Sequence, residues 1–445
     1  PSPSVECLNQ AQHLWRKIRR YIERGVLADA WPPLEWTRGF DIPELNLLET
    51  ALSATLATLA SIEKKIATKR RSGARLAFAK DAKVHGRDSW RAARDPRPPP
   101  MTAVVEHGPD GSMRLSADPN LIHAEVDKVW LPIFQRKPTN DPWADIEKEF
   151  PDVIAAMRRP TADVPPPTPE ELMERCRRCG RSAPGLDGRS FDELRHLPLW
   201  VWKKVTTMFD KIADDEGCSW PQKLLDALAV LIPKDEKGSN DPACQRPISI
   251  LPALYRVWAG CWQDKLAEWN ESWMTGGMKG GRAKCEALDI SYQIATFFEE
   301  KRLHIGRRAG GCALGYDYSK FFDTIPWKVL LGLAKLAGMP PSLFNLISKM
   351  LPRLRRRFLI GSFIGNPFFA EGGIGQGCPL SLTLSGLPVA FWCYAIMSRV
   401  PAMDPFAFVD DRVLLGDRCV AAVEAHLLTI KVDSALGNIL NVDKT

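Results

Sequence analysis

Two apolar stretches, each ending in carboxylates, constrain this chain most. Cys312-Ala-Leu-Gly-Tyr316 is short and apolar and follows Gly310-Gly311, so it reads as a buried strand that delivers Asp317 at its end. Asp323 and a Pro326 break follow, and Val329 to Leu336 then reads as a helix. Ninety-three residues beyond Asp317, the pair Asp410-Asp411 sits between Pro405-Phe-Ala-Phe-Val409 and Arg412-Val-Leu-Leu415, as at the tip of a β-hairpin. Acidic side chains at strand ends can hold two divalent ions about 3.5–4 Å apart, which clamp the attacking and leaving oxygens of a phosphoryl transfer. A lone Asp pair is also what a helix cap or a solvated surface supplies, so the flanking segments must decide.

The 445 residues leave room for two or three domains, and an apolar content of 45% is enough for a sizeable core. The formal charge is +7, but it is not spread evenly. From Lys64 to Arg97 there are twelve Lys/Arg against three Asp, so the rest of the chain is close to neutral. Such a block, with Arg70, Arg71 and Arg75 at its centre, suits a polyanion; the plainer alternative is a solvated helix face. The eleven cysteines are scattered, and Cys176 and Cys179 form the one C-x-x-C, with no second pair or His at zinc spacing. This argues against structural zinc and for a reducing, intracellular compartment, nucleus or cytoplasm. No apolar run reaches membrane-spanning length, Leu387 to Met397 reads as a buried helix, and no membrane partner or signal peptide is expected. The start at Pro1 and the stop at Lys444-Thr445 read as a piece of something longer.

Three regions are expected. Residues 1–94 form a helical, basic extension. Leu8, Leu14, Ile18 and Ile22 mark one helix, and Leu45, Leu48, Leu52, Leu56, Leu59, Ile62 and Ile66 mark a longer stripe, read as an internal packing face. Residues 95–169 are a linker and pre-core segment with a candidate hairpin around Gly108-Pro-Asp-Gly111 and a helix carrying Trp130 and Phe134. The proline cluster 165–169 marks a boundary, and Thr168-Pro-Glu-Glu171 is a helix start with Thr as cap. Residues 170–445 carry the chemistry.

In that last region Ala229-Val-Leu-Ile-Pro-Lys234 is a strand ending in a cation, and Gln245-Arg-Pro-Ile-Ser-Ile250 returns with Arg246. Lys234 and Arg246 on the two arms can close over a triphosphate, a point charge and a planar fork. Taken alone they are ordinary surface charge. Gly276-Gly-Met-Lys-Gly-Gly-Arg282 lacks the Gly-Lys-Ser/Thr ending of a Walker loop; it is a flexible connection or a place where Lys279 and Arg282 meet strand phosphates. Arg353-Leu-Arg-Arg-Arg-Phe-Leu-Ile360 reads as an edge strand, with Arg355 and Arg357 either facing a nucleic-acid backbone or guarding the edge. Gly372-Gly-Ile-Gly-Gln-Gly-Cys-Pro-Leu-Ser381 brings Gln376 among glycines that let the main chain approach a ligand.

Taken together, Ser182-Ala-Pro-Gly-Leu-Asp-Gly188, Leu231-Ile-Pro-Lys234 with Arg246-Pro-Ile-Ser249, Asp317-Tyr-Ser-Lys-Phe-Phe-Asp323, Gly375-Gln-Gly-Cys-Pro-Leu-Ser381 and Phe408-Val-Asp-Asp411 resemble, in this order, the reverse transcriptases of LINE-type non-LTR retrotransposons. The resemblance covers roughly 170–445, and Asn441-Val-Asp-Lys-Thr445 resembles the end of the next motif. It implies an α+β, right-hand polymerase: fingers around 180–300, a palm of antiparallel sheet backed by helices, and no thumb. It further implies that Asp317, Asp410 and Asp411 hold two Mg²⁺, with Mn²⁺ as a substitute. Lys234 and Arg246 would hold the dNTP triphosphate, and Gln376 and Gly377 would line the nucleotide and template pocket. Phe322 would be the gate against a 2′-hydroxyl, and Lys444 would protonate pyrophosphate. RNA template and DNA primer would be the partners, and the oligomeric state stays open. Leu382 after Pro-Leu-Ser, and Phe408-Val409 in place of Tyr-Ala, depart from the usual pattern; Phe408 and Val409 are both compatible with a strand, and neither departure touches an expected metal ligand.

RNA-directed DNA synthesis is therefore the leading expectation. RNA-directed RNA synthesis fits less well, because Phe322 and Arg246-Pro-Ile-Ser argue against it. A group II intron maturase-like enzyme is a nearer rival, and a non-catalytic nucleic-acid-binding relic belongs to another class. The relic reading predicts loss of Asp317 or Asp410, and both are present.

Overall fold

The computed structural model describes residues 101–107, 113–137, 141–180, 182–234, 239–303 and 311–445. All lie in the second of two compact units, Pro98–Thr445. The helices expected at 5–24 and 44–80, and the basic block with Arg70, Arg71 and Arg75, lie outside the described residues.

Prolines and short polar caps start the early helices. After the hairpin β1 (Val104–His107) and β2 (Met113–Ser116) come α1 (Pro119–Phe134), α2 (Pro142–Glu149), α3 (Pro151–Met157) and α4 (Pro169–Arg178). Each begins on Pro, whose missing N–H costs nothing in the first turn. Thr168 and Glu171 bond reciprocally to each other's backbone N–H in the expected capping box. Ile146, Phe150, Val153 and Met157 of this early segment share one core with Trp202, Trp258 and Leu343. The proline run before α4 thus joins helices of one body instead of separating two.

The chain continues through α5 (Phe191–Arg195), α6 (Leu199–Asp214), β3 (Asp226–Pro233), β4 (Gln245–Ile250), α7 (Ala253–Lys265), α8 (Ala267–Trp273) and α9 (Ala287–Leu303). Then come β5 (Cys312–Tyr316), α10 (Phe321–Thr324), α11 (Trp327–Leu336), α12 (Pro341–Met350), β6 (Arg355–Ile360), β7 (Phe363–Ile364) and β8 (Phe368–Phe369). Helix α13 (Ser381–Arg399), β9 (Met403–Phe408), β10 (Asp411–Gly416) and α14 (Cys419–Leu436) complete the series.

The architecture is α+β, with two sheets larger than the β1–β2 hairpin. One has the order β5-β10-β9, all antiparallel. The other is β4-β3-β6-β7 with β8 also on β6, antiparallel except for the parallel pair β3–β6. Helix α1 lays Trp130 and Phe134 on this second sheet against Phe358, Phe368 and Leu231. Helices α13 and α14 back the first, with Trp392 and His426 against Tyr316 at ring separations of 6.3 and 5.9 Å.

Two sequence expectations change here. Strand β5 is an edge, and Ala313 and Gly315 on its outer face are exposed, so it is half open and not buried. Helix α13 is, by length and composition, long and apolar enough to cross a membrane, yet 72% of its apolar window is buried inside the protein. It is the helix on which the first sheet packs.

Candidate active site at the Asp410-Asp411 hairpin

Strands β9 and β10 are joined by two residues, Val409 and Asp410, with Phe408 paired to Asp411. Val409 has φ +61°, whereas Asp410 keeps a negative φ. A positive φ at only the first loop residue is the pattern in which hairpins prefer glycine. A β-branched side chain there is strained, at a cost of about 1–3 kcal/mol. Phe408 is thus in the strand, as expected, and Val409 is in the turn.

The rung Arg412–Tyr316 is the last of the β10–β5 ladder. One step further along that antiparallel register sets Asp411 across from Asp317. Strand alternation decides the face: Arg412 and Leu414 are buried, while Asp411 is exposed and Val413 half-exposed. The acidic groups therefore lie on the open side of the sheet.

Burial raises the Asp410 carboxyl above its usual range, and the charges of Asp411 and Asp317 raise it further; the Arg246 guanidinium pulls the other way. Burial and then Asp317 raise Asp411. The Asp317 charge thus reaches both Asp410 and Asp411, and among the described residues neither Asp410 nor Asp411 has an ion-pair partner. Asp317 is more constrained. Its Oδ2 accepts a 2.8 Å hydrogen bond from Asn441 Nδ2 and lies 3.8 Å from Lys444 Nζ, and its carbonyl accepts from Asn441 N at 2.9 Å. All-oxygen donors with uncompensated negative charge suit a hard divalent cation such as Mg²⁺. As they lie, no three His, Cys, Asp or Glu side chains among the described residues converge closely enough to grip an ion.

The cationic arms are where the sequence put them. Arg246 pairs with Ile232 across the β3–β4 hairpin, is exposed, and is near enough to Asp410 to act on its charge. Lys234, just past β3, is exposed and donates to the Ala243 carbonyl at 3.4 Å. Phe322 is half-buried against Phe321, and its carbonyl accepts from Ile374 N at 2.6 Å. Gln376 is held from two sides: Ser249 N donates to its carbonyl at 2.6 Å, and its Nε2 donates to Asp323 Oδ2 at 3.0 Å. Asp323 is buried, and burial pushes its carboxyl up to about 7, against the pull of Arg356 and Lys320. Burial, and then Lys234, push the Lys320 ammonium down to about 8 while it rests 3.5 Å over the Trp130 ring.

Several cations and glycines have another use than the one expected. At Gly377, φ is +111° and a Cβ would meet the Ser249 carbonyl at 2.5 Å, so close approach to protein backbone is what requires glycine there. The loop 276–282 is not loose: Lys279 N donates to Ala407 O and Ala407 N to Gly277 O, extending the sheet beyond β9. The half-buried Lys279 side chain leaves from this paired segment. Arg282 Nε is bonded to Glu271 at 2.8 Å. Strand β6 is interior, with partners on both sides, which corrects the edge reading. Its Arg355 forks onto Asp226 at 2.6 and 2.8 Å, and Arg357 donates to the Gly365 carbonyl at 3.2 Å.

The sequence reading overlooked Asn441, Arg412 and Asp433. Arg412 Nη1 donates to Asp433 Oδ1 at 2.9 Å, with both side chains buried.

No established family profile matches the chain. Over 260 residues it is 25% identical to the retrovirus-related Pol polyprotein from type-1 retrotransposable element R2 of Nasonia vitripennis, covering 54% of this chain and 23% of that protein. Over 211 residues it is 25% identical to the probable RNA-directed DNA polymerase from transposon X-element of Drosophila melanogaster, covering 46% of this chain and 22% of that one. The chain is a distant homologue of non-LTR retrotransposon polymerases. The matches span less than a quarter of either relative's length.

Proposed function

We propose that this chain is the fingers and palm of a right-hand RNA-directed DNA polymerase of a non-LTR element, joining dNTPs to a DNA primer on an RNA template. The observation that carries the reading is the Asp410-Asp411 turn set one register step from Asp317, on the open face of an antiparallel sheet. The named relatives support it.

In this reading Asp317, Asp410 and Asp411 hold two Mg²⁺, for which Mn²⁺ substitutes. When bound, such ions supply Lewis-acid activation of the primer 3′-hydroxyl and charge neutralisation at the leaving pyrophosphate. Asp317 must first give up part of its hold on Asn441 and Lys444. Arg246 and Lys234 bind the triphosphate, and the place of Arg246 beside Asp410 puts that charge at the reacting end. Gln376, with its amide fixed by Asp323, and Gly377 line the nucleotide pocket. Phe322 opposes a 2′-hydroxyl. Lys444, released from Asp317, gives its proton to pyrophosphate.

The test is extension of a DNA primer on an RNA template by the 445-residue chain with Mg²⁺ and dNTPs. Asp410→Asn is expected to lower the rate at least about 10³-fold, the equivalent of about 4 kcal/mol of lost transition-state stabilisation, with template–primer affinity retained. Synthesis at the parental rate by that variant would remove the site. Nucleic-acid binding by the parent with no synthesis would favour the relic reading.

A further inference from the structure

The ladder that should hold Asp317 beside Asp411 ends one residue too early. Its last rung is Arg412–Tyr316, and beyond it the Asp317 backbone turns to Asn441 instead. Directly behind the carboxylates, on the buried face, the residue after Asp411 and the residue after Asp317 meet: the Arg412 guanidinium lies 4.3 Å from the Tyr318 ring centroid. Both report to one carboxylate on α14. Arg412 donates to Asp433 Oδ1 at 2.9 Å, and the Tyr318 hydroxyl donates to Oδ2 at 2.8 Å. Asn438 Nδ2 adds a second bond to Oδ1 at 2.8 Å. Arg412 is fully buried, and its Nε and Nη2 find no hydrogen-bond acceptor; the faces of Tyr318, Trp392 and Phe321 take their place.

A buried ion pair is a poor way to gain stability, because apolar residues of the same volume generally do as well. It is a good way to fix geometry, and ligands of paired metal ions need placement to within about 0.5 Å. We infer that Asp433 is a positioning residue: through Arg412 and Tyr318 it sets the spacing of Asp411 and Asp317, and with it the affinity of the site for divalent cations. The inference rests on the polymerase reading above.

The experiment compares the full chain with the apolar double variant Arg412→Met/Asp433→Leu and with Tyr318→Phe. Two quantities are read at matched thermal stability: the Mg²⁺ concentration for half-maximal primer extension, and Mn²⁺ binding followed by electron paramagnetic resonance without turnover. The double variant is expected to need about tenfold more metal in both, with Tyr318→Phe raising the requirement about two- to threefold. A purely packing role would leave both unchanged. Parental metal dependence in a folded double variant therefore overturns the inference and leaves the polymerase reading standing. If the double variant does not fold, Tyr318→Phe decides alone by the same criterion. A parent that neither binds Mn²⁺ nor extends primers would take down the polymerase reading, and this inference with it.

Discussion

In the five-stranded sheet the arginines of β6 are held against the protein: Arg355 pairs with Asp226, Arg357 donates to the Gly365 carbonyl, and Arg356 is buried over the Phe134 ring within reach of the Asp323 charge. In the three-stranded sheet the outer face gathers three carboxylates: Asp411 and Asp317 raise Asp410, Asp317 raises Asp411, and the opposing charge that acts on Asp410, Arg246, comes from the other sheet's hairpin. The number of charges is similar; the bookkeeping differs. Charges neutralised within the fold are framework. Like charges gathered on an open face are tolerated only where something from outside supplies the balance. By that criterion Arg355 and Arg357, two of the arginines expected to meet nucleic acid, are assigned to the framework, and Arg246 to the proposed site.

The sharpest way to break the comparison is to exchange the roles of two arginines. Arg246→Ala is expected to raise KM for dNTP roughly 10–100-fold, the worth of a charge-assisted hydrogen bond to a phosphate. Arg355→Ala is expected to leave KM unchanged and to cost about 1 kcal/mol or less, since its pair with Asp226 is partly exposed. Steady-state kinetics and urea titration on both variants decide. Equal effects on KM would mean that pairing within the fold does not separate framework from site.

The parts of the site legible in the sequence were those whose chemistry is local. Asp317 and Asp410-Asp411 stood out because strands and a tight turn are written in consecutive residues, and alternation then fixed which side they face. The Thr168–Glu171 box and the Lys234/Arg246 hairpin were legible for the same reason. What escaped depends on partners far along the chain. The parallel pairing of β6 with β3 joins residues well over a hundred positions apart, so an arginine-rich strand looked like an edge. The need for glycine at Gly377 is accounted for by its φ of +111° and the Ser249 carbonyl, more than a hundred positions away in the chain. Asp433 declares its role only once α14 has folded against β10. The right-hand comparison came from motif order, which periodicity alone does not supply.

A weaker effect sharpens the contrast at Asp323, whose carboxylate meets Gln376 and feels the charge of Arg356 on β6. Buried and bonded to Gln376, it has a carboxyl pushed up to about 7. An unfolded aspartate titrates near 3.9. Between about pH 4 and 7 the folded chain therefore holds the extra proton, so this group's contribution to stability falls as pH rises through that window and is level above it. Asp323→Asn should flatten that part of the stability–pH curve, removing a slope of at most about 1.4 kcal/mol per pH unit. A slope that survives the substitution would assign the titration elsewhere.

The smallest expected effect concerns Val409. The turn between β9 and β10 asks for glycine and has valine, at φ +61°. The side chain is not idle: a Cβ built on Gly280 would come within 2.7 Å of Val409 Cγ2, so the loop 276–282 closes on it. Val409→Gly relieves the backbone but gives up that packing and loosens the unfolded chain. Relief of about 1–3 kcal/mol against a backbone entropy loss of about 1 kcal/mol and the lost burial leaves a net gain of about 1 kcal/mol at most. The gain should appear as a higher urea midpoint with unchanged slope. The same substitution frees the Asp410 backbone, so activity should fall while stability rises. That opposite movement is what a strained residue kept for placement predicts. A fall in both would mean that Val409 is held by its packing and that the turn carries no useful strain.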